Sequence, residues 1–166
     1  MQRETHLQNA ALMARRQAAI PRGVGQSHPI FIAKGENAEI WDVEGKRYVD
    51  FAGGIAVLNT GHCHPQIIAA VKAQLDAYTH TCFQVVAYEP YVELAERINT
   101  KALGNFAKKT FFLTSGSEAV ENAVKIARSF TGRSGVIAFT SGYHGRTMFT
   151  LGLTGKIVPY KTSFGP

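Results

Sequence analysis

Residues 111–128 read FFLTSGSEAVENAVKIAR and decide the fold prediction. An apolar run ends at Thr114, the polar turn Ser115-Gly116-Ser117 follows, and small apolar residues then recur at helical spacing. This order is typical of a strand, a tight turn and a helix. Free backbone N–H groups and the positive end of the helix dipole meet at such a turn, so it can bind a phosphate.

The same turn has a second interpretation. Ser115 and Glu118 have the S-x-x-E spacing of a capping box, in which side chains satisfy the N–H groups of the helix itself. Capping boxes are common at helix starts, so the local pattern alone favours capping over phosphate binding. A P-loop is excluded, because the G-x-x-x-x-G-K-[ST] spacing is absent.

Composition narrows the function classes. The chain has 166 residues, is 45% hydrophobic and carries 16 glycines, which is typical of a globular protein. Its longest apolar runs are a few residues, so no membrane span is predicted. The formal net charge is +6, but the basic residues are scattered. Nucleic-acid binding is therefore not predicted, and small anionic ligands fit the charge equally well.

Cysteine and histidine positions predict neither disulfides nor a metal site. Cys63 and Cys82 have no metal-like spacing and the N-terminus has no secretory signal, so we predict a cytoplasmic protein with reduced thiols. His62 and His64 lie two residues apart in a Gly/Pro turn with no third ligand nearby.

The remaining segments predict an α/β fold. Strands are predicted at 110–114 and 135–139, and the helix between them makes a crossover of about twenty residues, which favours a parallel, doubly wound sheet. Ligands in such sheets lie at the carboxyl ends of strands, so the turns at 115–117 and 143–146 should share one site. Other expected elements are a helix over 4–19 ending before Pro21, a hairpin of 38–42 and 47–51, and helices opened by Pro65 and Pro90.

Together these residues resemble the class III pyridoxal-phosphate (PLP) aminotransferases, and among them those acting on 4-aminobutyrate. The resemblance covers nearly the whole chain from about Pro21. Its motifs are WDVEG at 41–45, DFAGGIAV at 50–57, GHCHP at 61–65, TCFQ at 81–84, residues 114–128, and YHGR at 143–146.

The resemblance implies a fold type I PLP-dependent transferase, incomplete in this chain. Residues 1–60 would be the N-terminal helix and small β-hairpin segment, part of the small domain. Residues 61–166 would be the first part of the large PLP-binding domain, ending before the catalytic Lys. The complete enzyme is implied to be a dimer-based homo-oligomer.

The resemblance also assigns roles to seven residues. Gly116 and Ser117 would hold the cofactor phosphate, Tyr143 would stack on the pyridine ring, and His144 would lie beside it. Arg146 would pair with the substrate carboxylate, a task that suits a planar guanidinium. Ile55 and Gln84 would be pocket walls near the substrate.

The implied reaction transfers the amino group of 4-aminobutyrate to 2-oxoglutarate. Alternatives are a class III enzyme acting on 5-aminovalerate, putrescine or acetylornithine, and a non-catalytic phosphate-binding domain if the chain ends naturally here. The family's Schiff-base Lys lies beyond the end of this chain, and none of the nine lysines present has a matching context. The isolated chain is therefore expected to be inactive.

Overall fold

The computed structural model describes residues 8–164. The chain forms two compact units, Met1–Cys82 and Phe83–Pro166. The domain division expected at residue 60 concerns the domains of the resembled family and stays a prediction. No helix within residues 8–164 is long and apolar enough to cross a membrane.

The first unit contains a helix and a three-stranded sheet. Helix α1 spans Asn9–Ala19 and ends before Pro21 as predicted; the earlier part of the expected helix lies outside the described residues, apart from Gln8. Strands β1 (Ile32–Glu36), β2 (Glu39–Asp42) and β3 (Arg47–Val49) follow and pair antiparallel in chain order. The pairing of β2 with β3 confirms the predicted hairpin.

A buried carboxylate joins the hairpin turn to α1. Asp42 is only 3% exposed, and its Oδ1 accepts hydrogen bonds from the backbone N–H of Glu44 and of Lys46. Its Oδ2 accepts from the Tyr48 hydroxyl at 2.9 Å and from Asn9 Nδ2 at 3.1 Å. Burial raises the pKa of Asp42, but these hydrogen bonds outweigh it and hold the pKa below its ordinary value.

Five further helices follow the sheet within residues 8–164, and three of them start where the sequence predicts a helix. Helix α2 spans Gly53–Ala56 and α3 spans Pro65–Ala77, both in the first unit. In the second unit lie α4 (Glu89–Lys101), α5 (Gly116–Thr131) and α6 (Met148–Leu153). Pro65 and Pro90 occupy the first turns of α3 and α4. Proline has no backbone N–H, and at these positions the helix has no acceptor for one.

Helix α2 is a left-handed turn. All four of its residues have φ between 48° and 64°, and the N–H of Ala56 bonds the carbonyl of Ala52 at 2.9 Å. Gly53 and Gly54 tolerate this conformation, but Ile55 and Ala56 carry a Cβ that crowds the backbone there. The turn therefore stores backbone strain.

A hydrogen bond between Asp50 and His62 joins the two ends of the segment that contains α2. His62 Nε2 lies 2.7 Å from Asp50 Oδ2, while Asp50 Oδ1 accepts the N–H groups of Ala52 and Gly53. The hydrogen bond with His62, followed by the N–H bond from Gly53, lowers the pKa of Asp50 below its ordinary value. The charged form of Asp50 therefore stabilises the first unit.

This arrangement predicts acid sensitivity. Because the folded-state pKa of Asp50 is below 3.8, its ordinary value, the stabilisation is full above that pH and is lost as pH falls through the folded pKa. We expect the free energy of unfolding to drop there in urea titrations followed by the fluorescence of Trp41, the one tryptophan of the chain.

The control for the acid prediction is a second carboxylate. The carboxylate of Asp76 on α3 is exposed and makes no hydrogen bond or ion pair with any residue in 8–164. Asp50→Asn should flatten the dependence of stability on pH below 3.8, and Asp76→Asn should not. Equal slopes in the two variants would contradict the assignment.

Two predicted strands are wrong for the described chain. Neither 110–114 nor 135–139 is a strand, and the sheet found within residues 8–164 is the antiparallel one of the first unit. A strand exists only when another segment pairs with its backbone, and no described segment pairs with either of these two. Both segments are apolar, but no parallel sheet is formed within residues 8–164.

Candidate cofactor and substrate site

The start of α5 is capped as its sequence predicts. Ser115 Oγ accepts the backbone N–H of Glu118 at 3.2 Å. The Glu118 carboxylate accepts the N–H of Thr114 at 3.1 Å as well as its hydroxyl. The Thr114 hydroxyl is the main cause that lowers the pKa of Glu118, so this carboxylate is held in its charged form. The capping interpretation of the S-x-x-E spacing is confirmed.

Capping leaves two donors at the same helix start. The N–H groups of Gly116 and Ser117, the first two residues of α5, have no acceptor within residues 8–164. The space beside Gly116 is open, since a Cβ built on it meets no atom within 4 Å. These are the two amides predicted to hold a phosphate, so capping and anion binding are compatible here.

A loop of residues 141–147, called the 141–147 loop below, packs against this helix start. Gly145 is buried within it, and a Cβ built on Gly145 would lie 2.2 Å from Ser117 Oγ. The loop backbone therefore approaches Ser117 as closely as a glycine allows. The two turns that the sequence places in one site are in contact.

The 141–147 loop carries three of the predicted site residues. Tyr143 is 55% exposed and makes an edge contact with Tyr160, the ring centroids lying 5.4 Å apart. His144 is half-buried, and its ring lies over Gly142. Arg146 is exposed and makes no hydrogen bond or ion pair with any residue in 8–164. Its guanidinium is thus available to an anion.

The two predicted pocket walls lie elsewhere in the chain. Ile55 belongs to α2 of the first unit and is 92% exposed. Gln84 is exposed at the start of the second unit, next to Phe83, whose ring stacks on Tyr91 with centroids 4.0 Å apart. Their roles as pocket walls stay predictions.

Two buried threonines behind the 141–147 loop were not predicted from the sequence. Thr150 and Thr154 are both 0% exposed, whereas most large apolar side chains of the described chain are exposed. The available signal was their i, i+4 spacing directly after the YHGR motif, which places them on one side of a helix. Spacing alone does not distinguish them from other helical threonines.

A separate cavity of about 470 Å³ lies within the first unit. Asn37, Leu58, His62 and His64 are among its lining residues, and Nδ1 of His64 is buried without a hydrogen-bond partner. None of the seven predicted site residues lines this cavity. Among the described residues, no group of His, Cys, Asp and Glu could hold a metal ion.

The chain is similar to known aminotransferases over nearly its whole length. The family profile "Aminotransferase class-III" matches residues 19–166. The chain is 68% identical over 157 residues to 5-aminovalerate aminotransferase DavT of Pseudomonas aeruginosa, and 66% identical over 157 residues to 4-aminobutyrate aminotransferase GabT of Escherichia coli. Each match covers 95% of this chain and 37% of the relative, so the chain spans little more than a third of their length.

Solved structures agree on the fold. The chain superposes with a TM-score of 0.75 on taurine:2-oxoglutarate aminotransferase from Bifidobacterium kashiwanohense, determined in complex with PLP and glutamate. The two sequences are 29% identical, and the match covers 90% of this chain and 34% of that one. The predicted fold class, a fold type I PLP-dependent transferase, is confirmed.

Proposed function

Because the chain belongs to the class III aminotransferases, we propose that it is the N-terminal part of a PLP-dependent ω-aminotransferase. The substrate would be a linear amino acid whose reacting amine lies at the opposite end from its carboxylate, and 2-oxoglutarate would accept the amino group. Two relatives support this class, since both are named for such substrates. Pyridoxal phosphate is the cofactor of the family.

The observation that carries the proposal is the free guanidinium of Arg146. It lies two residues beyond His144, on a loop that touches the start of α5 at Ser117. An exposed arginine without a protein partner can form a bidentate pair with a carboxylate. Such a pair suits a substrate whose carboxylate is remote from its reacting amine.

The residues of the α5 start fit a phosphate group. Gly116 and Ser117 offer two unpaired N–H groups, and open space beside Gly116 lets an anion approach the backbone. The bound cofactor supplies an electron sink for the bond changes at the substrate amine. In this proposal Tyr143 packs on its ring and His144 lies beside it, while Arg146 orients the substrate through its carboxylate.

The substrate within this class is proposed to be 4-aminobutyrate, with 5-aminovalerate as the alternative. The two differ by one methylene between amine and carboxylate. A hydrophobic wall discriminates one methylene only by about 10- to 200-fold, so a comparison of kcat/KM is needed. We propose measuring both amines on the full-length enzyme with 2-oxoglutarate. A higher kcat/KM for 5-aminovalerate would overturn the assignment to 4-aminobutyrate.

The 166-residue chain alone should lack activity. PLP chemistry requires a covalent lysine, and no lysine of this chain has the family context. We expect incubation with PLP, borohydride reduction and peptide mass mapping to find no single stoichiometric pyridoxyl-lysine. One such adduct, at Lys125 or any other lysine, would contradict the prediction.

A non-catalytic phosphate-binding domain is the second candidate function. The two unpaired amides of α5 would serve such a domain equally well. Whether the coding sequence continues in frame beyond Pro166 discriminates the two candidates. A cytoplasmic location and a dimer-based assembly remain predictions.

A further inference from the structure

We infer that Thr154, supported by Thr150, is a positioning residue that holds the 141–147 loop against the start of α5. This inference rests on the proposed cofactor site, although neither threonine is among the residues predicted to touch cofactor or substrate. It assigns a role to two completely buried polar side chains.

The Thr154 hydroxyl contacts the backbone N–H of His144 and the backbone carbonyl of Gly145. Its Oγ1 accepts the backbone N–H of His144 at 3.1 Å and lies 3.1 Å from the Gly145 carbonyl oxygen, to which it can donate. Because Thr154 is 0% exposed, water does not replace these partners. One buried hydroxyl therefore contacts the backbone of both His144 and Gly145.

Thr150 also limits the position of the loop, through its contacts with Gly145 and Thr147. A Cβ built on Gly145 would lie 2.6 Å from Thr150 Oγ1 and 2.2 Å from Ser117 Oγ. Gly145 is thus enclosed between Thr150 and Ser117. The Thr150 hydroxyl lies 2.7 Å from the hydroxyl of Thr147, the last residue of the loop.

The end of α6 closes the loop at its other side. The N–H of Gly155, directly after Thr154, donates to the carbonyl of Gly142 at 2.8 Å. A Cβ built on Gly155 would lie 2.4 Å from the N atom of Ser141, so the two backbones are in close contact. The segment that carries Tyr143 and His144 is consequently bound at one end to Gly155 and at the other to Thr154, the C-cap of α6.

An ordinary helical role does not account for Thr154. Threonine hydroxyls in helices often bond the carbonyl four residues earlier, and Thr154 Oγ1 does lie 3.0 Å from the Thr150 carbonyl. Thr100 in α4 makes the same kind of bond to Glu96 at 2.9 Å. What distinguishes Thr154 is that it also accepts the N–H of His144, which has no other acceptor within residues 8–164.

The first test uses isosteric variants of the full-length enzyme. Thr154→Val removes the hydroxyl and keeps the volume of the side chain. Without the hydroxyl the loop is less ordered before PLP binds, so part of the binding free energy of PLP goes into ordering it. We expect PLP affinity to fall about tenfold. The visible circular-dichroism band of bound PLP, which reports the geometry around its ring, should change as well. Thr154→Ser keeps the hydroxyl and should retain both properties.

The matched control is Thr100→Val, which removes a helical hydroxyl with the same backbone bond but without contact to the loop. It should leave PLP affinity and the dichroism band unchanged. Wild-type affinity in Thr154→Val would overturn the inference. So would equal losses in Thr154→Val and Thr154→Ser, since retaining the hydroxyl would then not preserve PLP binding and the effect would arise from side-chain packing instead.

A second measurement needs no variant and covers the case in which Thr154→Val fails to fold. In the apo form of the full-length enzyme, the His144 amide should exchange with solvent more slowly than the amide of exposed Arg146. Exchange of His144 at the rate of Arg146 would overturn the inference. Neither measurement involves the amino substrate, so a failure of the proposed substrate class would be seen separately.

Discussion

Gly145→Ala should abolish PLP binding at micromolar cofactor while leaving most of the chain folded. The added Cβ would lie 2.2 Å from Ser117 Oγ and 2.6 Å from Thr150 Oγ1, and real side chains do not approach that closely. The φ angle of 131° adds backbone strain for any residue with a Cβ. Overpacking and strain each cost about 1–3 kcal/mol, so the loop should leave Ser117.

Cofactor fluorescence titration of the full-length enzyme measures the effect of Gly145→Ala. Gly135→Ala is the matched control, because a Cβ at Gly135 meets no atom within 4 Å and its φ is not positive. The control should bind PLP as the wild type does. Wild-type affinity in Gly145→Ala would show that the loop does not need its contact with Ser117 to form the site.

Arg146→Ala should reduce kcat/KM for 4-aminobutyrate by about 30- to 900-fold. Loss of a charged partner for a desolvated carboxylate costs roughly 2–4 kcal/mol of transition-state stabilisation. KM should rise, and PLP affinity should change little, because the amides of Gly116 and Ser117 are separate from the guanidinium. Steady-state kinetics with cofactor titration measures both quantities.

Two controls separate the roles that Arg146 could have. Butylamine has no carboxylate, so its turnover, however slow, should be much less affected by Arg146→Ala. Arg133→Ala removes an exposed guanidinium after α5 and should leave both amines unaffected. If 4-aminobutyrate and butylamine lose activity equally and PLP occupancy falls, Arg146 has a structural role at the start of α6.

Local features of the fold could be predicted from sequence, and non-local ones could not. The starts of α3, α4 and α5 follow from Pro65, Pro90 and the Ser115 cap, whose effects act within one helical turn. The strands expected at 110–114 and 135–139 depend on pairing with other segments, and apolar sequence alone does not supply a partner. The error is therefore one of long-range pairing.

The features of the candidate site also divide into those that could be predicted from sequence and those that could not. Its motif residues could be identified by spacing, and the S-x-x-E pattern correctly predicted the cap of α5. The support from Thr154 could not be predicted, because a hydroxyl that accepts a backbone N–H ten residues away leaves no recognisable pattern. Contact of Gly145 with Ser117 likewise depends on how α6 places the loop.

The left-handed turn of α2 has a consequence for laboratory evolution of this protein. Ile55 stands at φ 60° with its side chain 92% exposed, so glycine there would relieve backbone strain and remove the predicted pocket wall together. A library randomised at position 55 and screened for thermal stability should therefore enrich glycine. The same library screened for turnover should retain a branched residue if Ile55 does line the pocket, so the two screens would select opposite alleles.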